Sequence, residues 1–324
     1  MKIHTTLFYR LIALILAVGT LFGALSGCSE PEAEQLSNDT LEVTDALGRT
    51  LSIPKNPARV AALLGSFADV WCLAGGTLCA AAEDAWEDFS LELPGAVNLG
   101  GAHSPNLELL VASDPDLVLA SASSASNVNL LQSLEAMGIP VIYFEVDCFE
   151  EYLSMLDVCT ALTGRCDLYE QNGLALQAEI EAIKVKYANQ NIPTEQRKIL
   201  LLRASSGSVK AKGGSGTVLG EMLRDIGCIN IADGNDTLLE NLSIESILRE
   251  NPYHIFAVTM GSDTVAATDA LYRLLEENPS WSSLAAVREN RVHVMDKKLF
   301  NLKPNARWAE AYGVLYETLT QIPE

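Results

Sequence analysis

The sequence predicts an α/β protein made of two similar lobes, each an open and mainly parallel sheet, joined by one long helix. Three observations support this prediction. Runs typical of buried strands alternate with helical patterns along the chain, as in parallel sheets that are covered on both faces. The same helix–turn–strand pattern occurs twice, and Glu245 stands in the second copy where Glu108 stands in the first. Between the two series lies a proline-free segment with apolar residues at helical spacing.

The first 27 residues are predicted to be a secretory signal and not part of the fold. Lys2 and Arg10 precede an apolar run over residues 11–24, and Leu25-Ser26-Gly27 and then Cys28 follow it. This arrangement resembles the bacterial lipobox, in which the thiol of Cys28 would be diacylated after cleavage. The alternative is a plain N-terminal membrane helix, because residues 11–27 are just long enough to span a bilayer. Residues 28–40 are polar and acidic, as expected of a tether.

The N-terminal α/β lobe is predicted over residues 41–148. It opens with "LEVTDALGRTLSIP", where alternating apolar residues around Leu47 and Gly48 indicate a hairpin. Helical patterns then alternate with strand-like runs. These runs are "RVAALL", "LCAAAE", "AVNLGG", "DLVLAS" and "IPVIYFEV".

A linking helical segment is predicted over residues 149–190, with a stiff helix over 167–189. Residues 191–324 form the predicted C-terminal α/β lobe and repeat the order of the first lobe: "KILLLR" corresponds to "RVAALL", and "GTVLGEMLRDIG" corresponds to the first helix. Ligands of open parallel sheets bind at the carboxyl ends of the strands. Two such lobes facing one another therefore predict a ligand cleft between them.

Composition argues against two classes of partner. The chain has 22 basic and 42 acidic residues, a net charge of −20, which disfavours binding to nucleic acid. His254 and His293 lie in strand patterns and are interpreted as structural, so no free-metal site is predicted. The six cysteines after Cys28 include no Cys-x-x-Cys, so buried free thiols are expected, and their pairing stays open.

Basic residues are distributed unevenly between the lobes. Residues 60–164 contain no lysine or arginine. The C-terminal lobe carries Arg203 and Lys212 in its predicted first loop and Arg307 in its last. These are either ordinary solvated residues or cations that hold an anionic part of the ligand. Arginine suits the second role better than lysine, because its guanidinium can donate two parallel hydrogen bonds to a carboxylate. The N-terminal lobe would then face a neutral, apolar or cationic part of the ligand.

Further ligand contacts are predicted where strand runs end. Trp86 lies in "EDAWED", and an aromatic residue flanked by acids suits a ligand wall. The segment "KAKGGSG" is glycine-rich and precedes a helix, so it suits an anion, but it lacks the spacing of a phosphate loop. The other candidates are Ser66, Phe67, His103 and Ser121 in the N-terminal lobe and Phe300 in the C-terminal lobe.

Taken together, the lipobox, "VTDALGRTLSIPKNPARV", "SPNLELLVASDPDLVLA", "MGIPV" and the helix-linked second lobe resemble one family. It is the iron-chelate and cobalamin class of ABC-transporter substrate-binding proteins, and the resemblance covers roughly residues 41–320. It implies a non-catalytic monomer, lipid-anchored on the extracytoplasmic face, that needs no cofactor other than its captured ligand. It also implies that Glu108 and Glu245 pair with arginines of the permease dimer. The alternative role for both glutamates is to complement a helix dipole.

The expected function is capture of a metal chelate, either an iron–siderophore complex or haem, for an ABC importer. A cobalamin-like corrinoid is the alternative ligand. His103 and Met260 are conceivable axial ligands to a haem iron or a corrin cobalt, and for His103 a hydrogen bond within its loop is the other interpretation. A cleft enzyme is the alternative class. It is not expected, because "LLGSFAD" around Ser66 lacks the second glycine of a nucleophile elbow.

Overall fold

A computed structural model describes residues 39–261 and 263–321. The predicted signal, the lipidation site Cys28 and nearly all of the predicted tether lie outside the described residues. Within the described ranges, no helix is both long enough and apolar enough to cross a membrane.

The N-terminal lobe contains a five-stranded parallel sheet with the order β5-β4-β3-β6-β7. The predicted hairpin precedes it, formed by the antiparallel strands β1 (Thr40–Thr44) and β2 (Thr50–Pro54). The sheet strands are β3 (Val60–Ala62), β4 (Leu78–Ala81), β5 (Val97–Asn98), β6 (Leu117–Ser121) and β7 (Val141–Phe144). The helices are α1 (Gly65–Leu73), α2 (Asp84–Glu87), α3 (Leu107–Ala112), α4 (Ala125–Val128) and α5 (Leu131–Ala136).

The central strands of this sheet are buried on both faces. Every residue of β6 is buried, and successive side chains point into two separate apolar clusters. Leu117 and Leu119 belong to one cluster, whereas Val118 and Ala120 belong to the other. Continuous apolar runs in the sequence therefore arise because helices cover the sheet on both sides.

A helical segment joins the two sheets, as predicted. It consists of α6 (Phe149–Thr163), α7 (Cys166–Tyr169), a π-helical turn (Glu170–Leu174) and α8 (Ala175–Ala188). The π-helical turn is fixed to the N-terminal lobe at Asn172. Its carbonyl accepts a 2.8 Å hydrogen bond from the Tyr152 hydroxyl, and its Nδ2 donates to the carbonyl of Leu73 at 2.9 Å. The long connection is thus helical from residue 166 to residue 188 and is anchored at its midpoint.

The C-terminal lobe has a sheet of order β10-β8-β11-β12, with β9 antiparallel to β8. Its strands are β8 (Lys198–Ser205), β9 (Ser208–Lys212), β10 (Ile229–Asn230), β11 (His254–Thr259) and β12 (Val292–Met295). Its helices are α9 (Val218–Asp225), α10 (Asp236–Asn241), α11 (Ile244–Glu250), α12 (Thr264–Glu277), α13 (Pro279–Ser282), α14 (Ala285–Arg288), α15 (Lys297–Phe300) and α16 (Trp308–Thr320). Single 3₁₀ turns occur at Thr194–Arg197 and Asn305–Arg307.

The placement of Arg203 and Lys212 in a loop is wrong, because they belong to the paired strands β8 and β9. The alternation of "SVKAK" explains the second strand. It buries Ala211 in the second lobe's core and leaves Lys210 exposed.

The repeated helix–turn–strand unit is present in both lobes, as α3–β6 and as α11–β11. Each helix begins at the predicted cap. The side chain of Asn106 accepts a hydrogen bond from the backbone N–H of Leu109 at 3.0 Å, and that of Ser243 accepts one from Ser246 at 3.5 Å. The two similar open-sheet lobes predicted from the sequence are confirmed.

The last helix of the chain returns to the linking segment. Trp308, at the start of α16, is fully buried, and its ring lies 6.0 Å from that of Phe149 and 6.5 Å from that of Tyr152, both in α6. Further along, Lys186 of α8 places its ammonium group 4.4 Å from the ring centre of Tyr316. The final helix therefore packs against the connection between the sheets.

The six cysteines of the described residues are all free. Cys159 and Cys228 are buried, as expected of thiols in apolar helical patterns. Cys166 is exposed, because it lies at the first position of α7 on the protein surface. The expectation of burial is therefore wrong for Cys166.

Candidate ligand-binding cleft

A cavity of about 550 Å³ lies between the two lobes, at the carboxyl ends of strands from both sheets. The N-terminal lobe contributes segments that follow β3, β5, β6 and β7. The C-terminal lobe contributes β8, the start of α9 with the turn before it, and the segment that follows α15. The lining residues of the N-terminal lobe are Leu64, Ala102, His103, Ser121, Ser123, Ser124, Ala125, Ser126 and Asp147. Those of the C-terminal lobe are Arg203, Gly216, Thr217, Val218, Asn301 and Lys303.

A row of serine hydroxyls forms much of the N-terminal wall. The hydroxyls of Ser121 and Ser123 are 2.9 Å apart, and those of Ser124 and Ser126 are 3.0 Å apart. The row is held in place by Asn127, which is fully buried and accepts a hydrogen bond from the backbone N–H of Ser121 at 3.0 Å. This row of serines is polar but uncharged, so it suits hydrogen bonding to a neutral part of a ligand.

The opposite wall carries two full positive charges, Arg203 and Lys303. Arg203 is half-buried, and loss of hydration lowers the pKa of its guanidinium, while the negative charge of Asp147 acts in the other direction. Its Nε is buried and has no hydrogen-bond partner among the described residues. A partly desolvated guanidinium with an unused donor is costly unless an anion occupies the site. The arrangement therefore favours an anionic group on this side of the cleft.

A second cavity of about 670 Å³ adjoins the cleft and shares Arg203, Gly216 and Thr217 with it. Lys212 lines this cavity, and loss of hydration followed by repulsion from Arg203 and Lys210 lowers its pKa. The strand register places Lys210 directly opposite Arg203, where like charges repel one another. The three cations thus lie within the same β8–β9 strand pair.

The glycine-rich turn between β9 and α9 is partly occupied by a carboxylate of the chain itself. The backbone N–H of Gly214 donates to Asp233 at 2.6 Å, and a side chain at residue 214 would lie 3.0 Å from the same carboxylate. The amide of Gly214 is therefore not free to hold an external anion, contrary to the predicted cradle.

Five of the predicted contact residues lie in or beside the cavities between the lobes. His103, Ser121 and Arg203 line the cleft, and Lys212 lines the adjoining cavity. Ser66 is buried beside the cleft, where its carbonyl accepts a hydrogen bond from the side chain of Asn305 at 2.9 Å. The structure brings the first four together and gives Ser66 a role in contact between the lobes.

The prediction that Phe67 and Phe300 line the cleft is wrong. Each is 1% exposed and belongs to the main apolar core. Phe67 packs edge-on against Phe144, with the ring centres 6.1 Å apart. Phe67 lies in the first turn of α1, and Phe300 lies in the short helix α15. The inward faces of these helices pack against the sheets, so both rings point away from the cleft.

Trp86, Met260 and Arg307 also lie outside the residues that line the cleft. Trp86 is half-buried and packs against the main apolar core, and Met260 is 47% exposed. Arg307 is exposed and holds Glu310 through two 2.7 Å hydrogen bonds. Because that ion pair already satisfies the guanidinium outside the cavity, Arg307 is not placed to bind a ligand there.

Several cleft residues were not predicted, above all Asp147, Ser124 and Ser126. The serines were recognisable, because "SASSAS" follows directly on the buried strand β6. Lys303 belongs to the basic run near the end of the chain, but the spacing of that run does not distinguish it from Arg307.

The other two histidines of the described residues, the buried His254 and the half-buried His293, form a pair away from the cleft. Nδ1 of His254 and Nε2 of His293 are 2.9 Å apart on the neighbouring strands β11 and β12. Loss of hydration is the main reason that their pKa values fall, to about 3 for His254 and about 4 for His293. Two neutral rings sharing one hydrogen bond suit the structural role predicted for both.

The glutamates of the repeated unit are exposed on their helices. Glu108 is the second residue of α3 and Glu245 the second residue of α11, each close to a capped helix start. Their carboxylates are available to complement the helix dipoles and to meet a partner.

Comparison with known proteins identifies the family. The model of the periplasmic binding protein family matches residues 60–299, which include both sheets. The chain belongs to the periplasmic binding protein family. Two relatives from Bacillus subtilis are each 23% identical to it. The uncharacterized ABC transporter substrate-binding lipoprotein YvrC aligns over 85% of this chain and 86% of its own length, and the Fe(3+)-citrate-binding protein YfmC over 89% and 90%.

Solved structures of periplasmic binding proteins share the fold. SirA of Staphylococcus aureus, complexed with staphyloferrin B, is 22% identical, with a TM-score of 0.69 over 88% of this chain and 100% of its own. The siderophore binding protein BauB, bound to two molecules of acinetobactin and ferric iron, is 20% identical, with a TM-score of 0.70 over 88% and 99%. These likenesses confirm the two-lobed α/β fold class.

Proposed function

We propose that this periplasmic binding protein captures a ferric chelate between its lobes and delivers it to an ABC importer. The observation that carries the proposal is the interlobe cleft, in which the partly desolvated Arg203 faces a wall of serine hydroxyls. The relatives named for ferric citrate and for a ferric siderophore support the same ligand class.

The two walls suit different parts of such a ligand. An anionic group of the chelate binds at Arg203 and Lys303, where charge-assisted hydrogen bonds are strongest in a partly dehydrated site. The uncharged bulk of the chelate lies against Ser121 and its neighbours. A cavity of about 550 Å³ falls within the size range of small-molecule sites.

Haem is the second candidate ligand, since His103 is exposed and lines the cleft, where an imidazole can coordinate a haem iron. Met260 does not line the cleft and draws no such support. A corrinoid is less well matched, because an amide-rich ligand makes little use of the half-buried positive charge of Arg203.

A thermal-unfolding panel tests the proposed function. Purified protein is heated with ferric citrate, ferric hydroxamate, carboxylate and catecholate siderophores, haem and a cobamide. A ligand at about one hundred times its Kd stabilises the protein by about 2.7 kcal/mol, so the true ligand class is visible as a raised midpoint. We expect a ferric chelate to give the largest shift. A shift with the cobamide alone would contradict the proposal, and a haem absorption band that is lost in His103→Ala would favour haem.

Lipid anchoring is part of the proposed function. Cys28 lies outside the described residues, and the lipobox-like sequence before it supports diacylation at its thiol. YvrC is named as a lipoprotein, which supports the same location on the extracytoplasmic face of the membrane. A catalytic role is not proposed, because the cleft chemistry described above is that of binding.

Docking to the permease is proposed to use Glu108 and Glu245, one from each lobe. Replacing both with arginine is expected to reduce uptake of the chelate severalfold while leaving its binding unchanged, because neither residue lines the cleft. The measurement is uptake of radioactive iron by cells, paired with titration of the purified protein.

A matched control keeps the net charge change the same. Glu42→Arg with Glu276→Arg also alters one exposed acid in each lobe, but outside α3 and α11. Uptake that persists in the Glu108 and Glu245 double variant, or that falls equally in the control, would exclude docking through these glutamates.

A further inference from the structure

One carboxylate stands among the cations of the cleft. Asp147 follows β7, and its Oδ1 lies 3.5 Å from Nζ of Lys303, which belongs to the other lobe. The two side chains are only 19% and 18% exposed. The charged side chains that line this cleft are therefore Arg203, Lys303 and Asp147.

The position of Asp147 is fixed by the start of α6. Its backbone N–H donates to Oε2 of Glu151 at 2.6 Å, and the N–H of Cys148 donates to the same oxygen at 3.2 Å. The loop is thereby fastened to the first turn of the helix. The backbone of Asp147 is therefore held at the edge of the cavity.

The contact between Asp147 and Lys303 is loose. Charge-assisted N–H···O bonds are usually about 2.7–2.9 Å long, shorter than the 3.5 Å seen here. Lys303 therefore keeps the capacity to bind a stronger acceptor. An anion arriving at Lys303 would compete with Asp147 and would also be repelled by it at short range.

We infer that Asp147 is an internal counter-ion that determines how much negative charge a ligand can bring into the cleft. This inference rests on the proposed function and adds a specificity-determining residue to it. The cleft accepts a chelate that presents one anionic group to Arg203 and Lys303 and a hydrogen-bond donor to Asp147. It discriminates against small anions that carry several charges.

Iron-free citrate is the probe, because it is small, multiply charged and independent of iron binding. We measure the citrate concentration that gives half of the maximal rise in thermal-unfolding midpoint. In Asp147→Asn this concentration is expected to fall about tenfold, because the amide keeps the shape and the contact but removes the competing charge. Adding Arg203→Met to that variant is expected to abolish the gain.

The chain offers a matched control in a second ion pair between the lobes. Asp88 and Lys297 are 3.4 Å apart and are 27% and 24% exposed, but neither lines the cleft. Asp88→Asn removes the same charge and a similar contact between the lobes. It therefore shows how far citrate binding changes when only the net charge or the contact between the lobes is altered. Its half-saturating citrate concentration is expected to equal that of the wild type.

Four outcomes would overturn the inference. They are an unchanged citrate response in Asp147→Asn, the absence of saturation by citrate in that variant, an equal gain in Asp88→Asn, and a gain that survives Arg203→Met. A failure of the proposed function is distinguishable, because it would appear as a wild-type protein that binds no ferric chelate in the thermal panel. The citrate comparison would still decide the role of Asp147.

Discussion

Replacing Arg203 with methionine is expected to weaken the binding of an anionic ferric chelate by at least about tenfold. Truncating one partner of a desolvated charged contact typically costs about 2–5 kcal/mol, whereas a charge at an exposed rim alters mainly the association rate. Arg203 belongs to the first kind, because it is half-buried and its Nε finds no partner among the described residues. Methionine keeps much of the apolar stem, so the change isolates the guanidinium.

Arg307 provides the matched control for this prediction. It is the same residue type in the same lobe, but its side chain is 50% exposed and its guanidinium is already held by Glu310 outside the cleft. Arg307→Met is expected to leave the dissociation constant unchanged. Isothermal titration with the chelate that gives the largest thermal shift measures both variants. Equal losses in the two variants, or no loss in Arg203→Met, would exclude Arg203 as the anion-binding residue.

The repeated helix–turn–strand unit is a part of the fold that local sequence patterns predict well. Asn106 and Ser243 each precede a short apolar helix, and each forms the predicted cap. A turn and a buried strand follow in both lobes. These features depend on residues close together in the chain, so hydrogen-bonding chemistry and apolar spacing predict them from the sequence alone.

The cleft was harder to predict, because its lining depends on which way a helix turns. Phe67 and Phe300 follow strand runs, which made them candidates for the ligand wall. A strand end specifies the edge of the sheet but not the rotation of the next helical turn. Around α1 that rotation is set by tight packing, since a side chain at Gly65 would lie 2.5 Å from the backbone nitrogen of Ala85. Such contacts join residues far apart in the chain and leave no local pattern.

The positive charges of the cleft could be predicted only in part. The absence of basic residues from 60–164 predicted that cations would come from the second lobe, and the cations lining the cleft, Arg203 and Lys303, do so. The choice between Lys303 and Arg307 depended on the pairing of Arg307 with Glu310, three residues further along the 3₁₀ and α16 turns. The guanidinium of Arg307 is bound to Glu310 at the surface, whereas Lys303 faces the cleft.

Trp308→Ala is expected to lower the free energy of unfolding by about 3–5 kcal/mol, the usual cost of truncating a fully buried tryptophan. Trp308 is 0% exposed and packs against Phe149 and Tyr152, so its ring joins α16 to the linking helix α6. Just before it, Asn305 donates to Asp69 at 2.8 Å and so connects the same turn to the N-terminal lobe. Loss of the ring leaves a cavity between α16 and the linking helix α6.

Trp308→Phe separates the packing of the ring from its polar atom. The indole Nε1 is buried and has no hydrogen-bond partner among the described residues, so phenylalanine removes an uncompensated N–H together with part of the ring. We expect this variant to lose less than about 2 kcal/mol. Urea unfolding followed by circular dichroism measures both changes, and ligand titration under native conditions should be normal for both, because Trp308 does not line the cleft. If alanine cost under about 1 kcal/mol, or if the two variants were equally unstable, α16 would not be held to the linking segment by this aromatic contact.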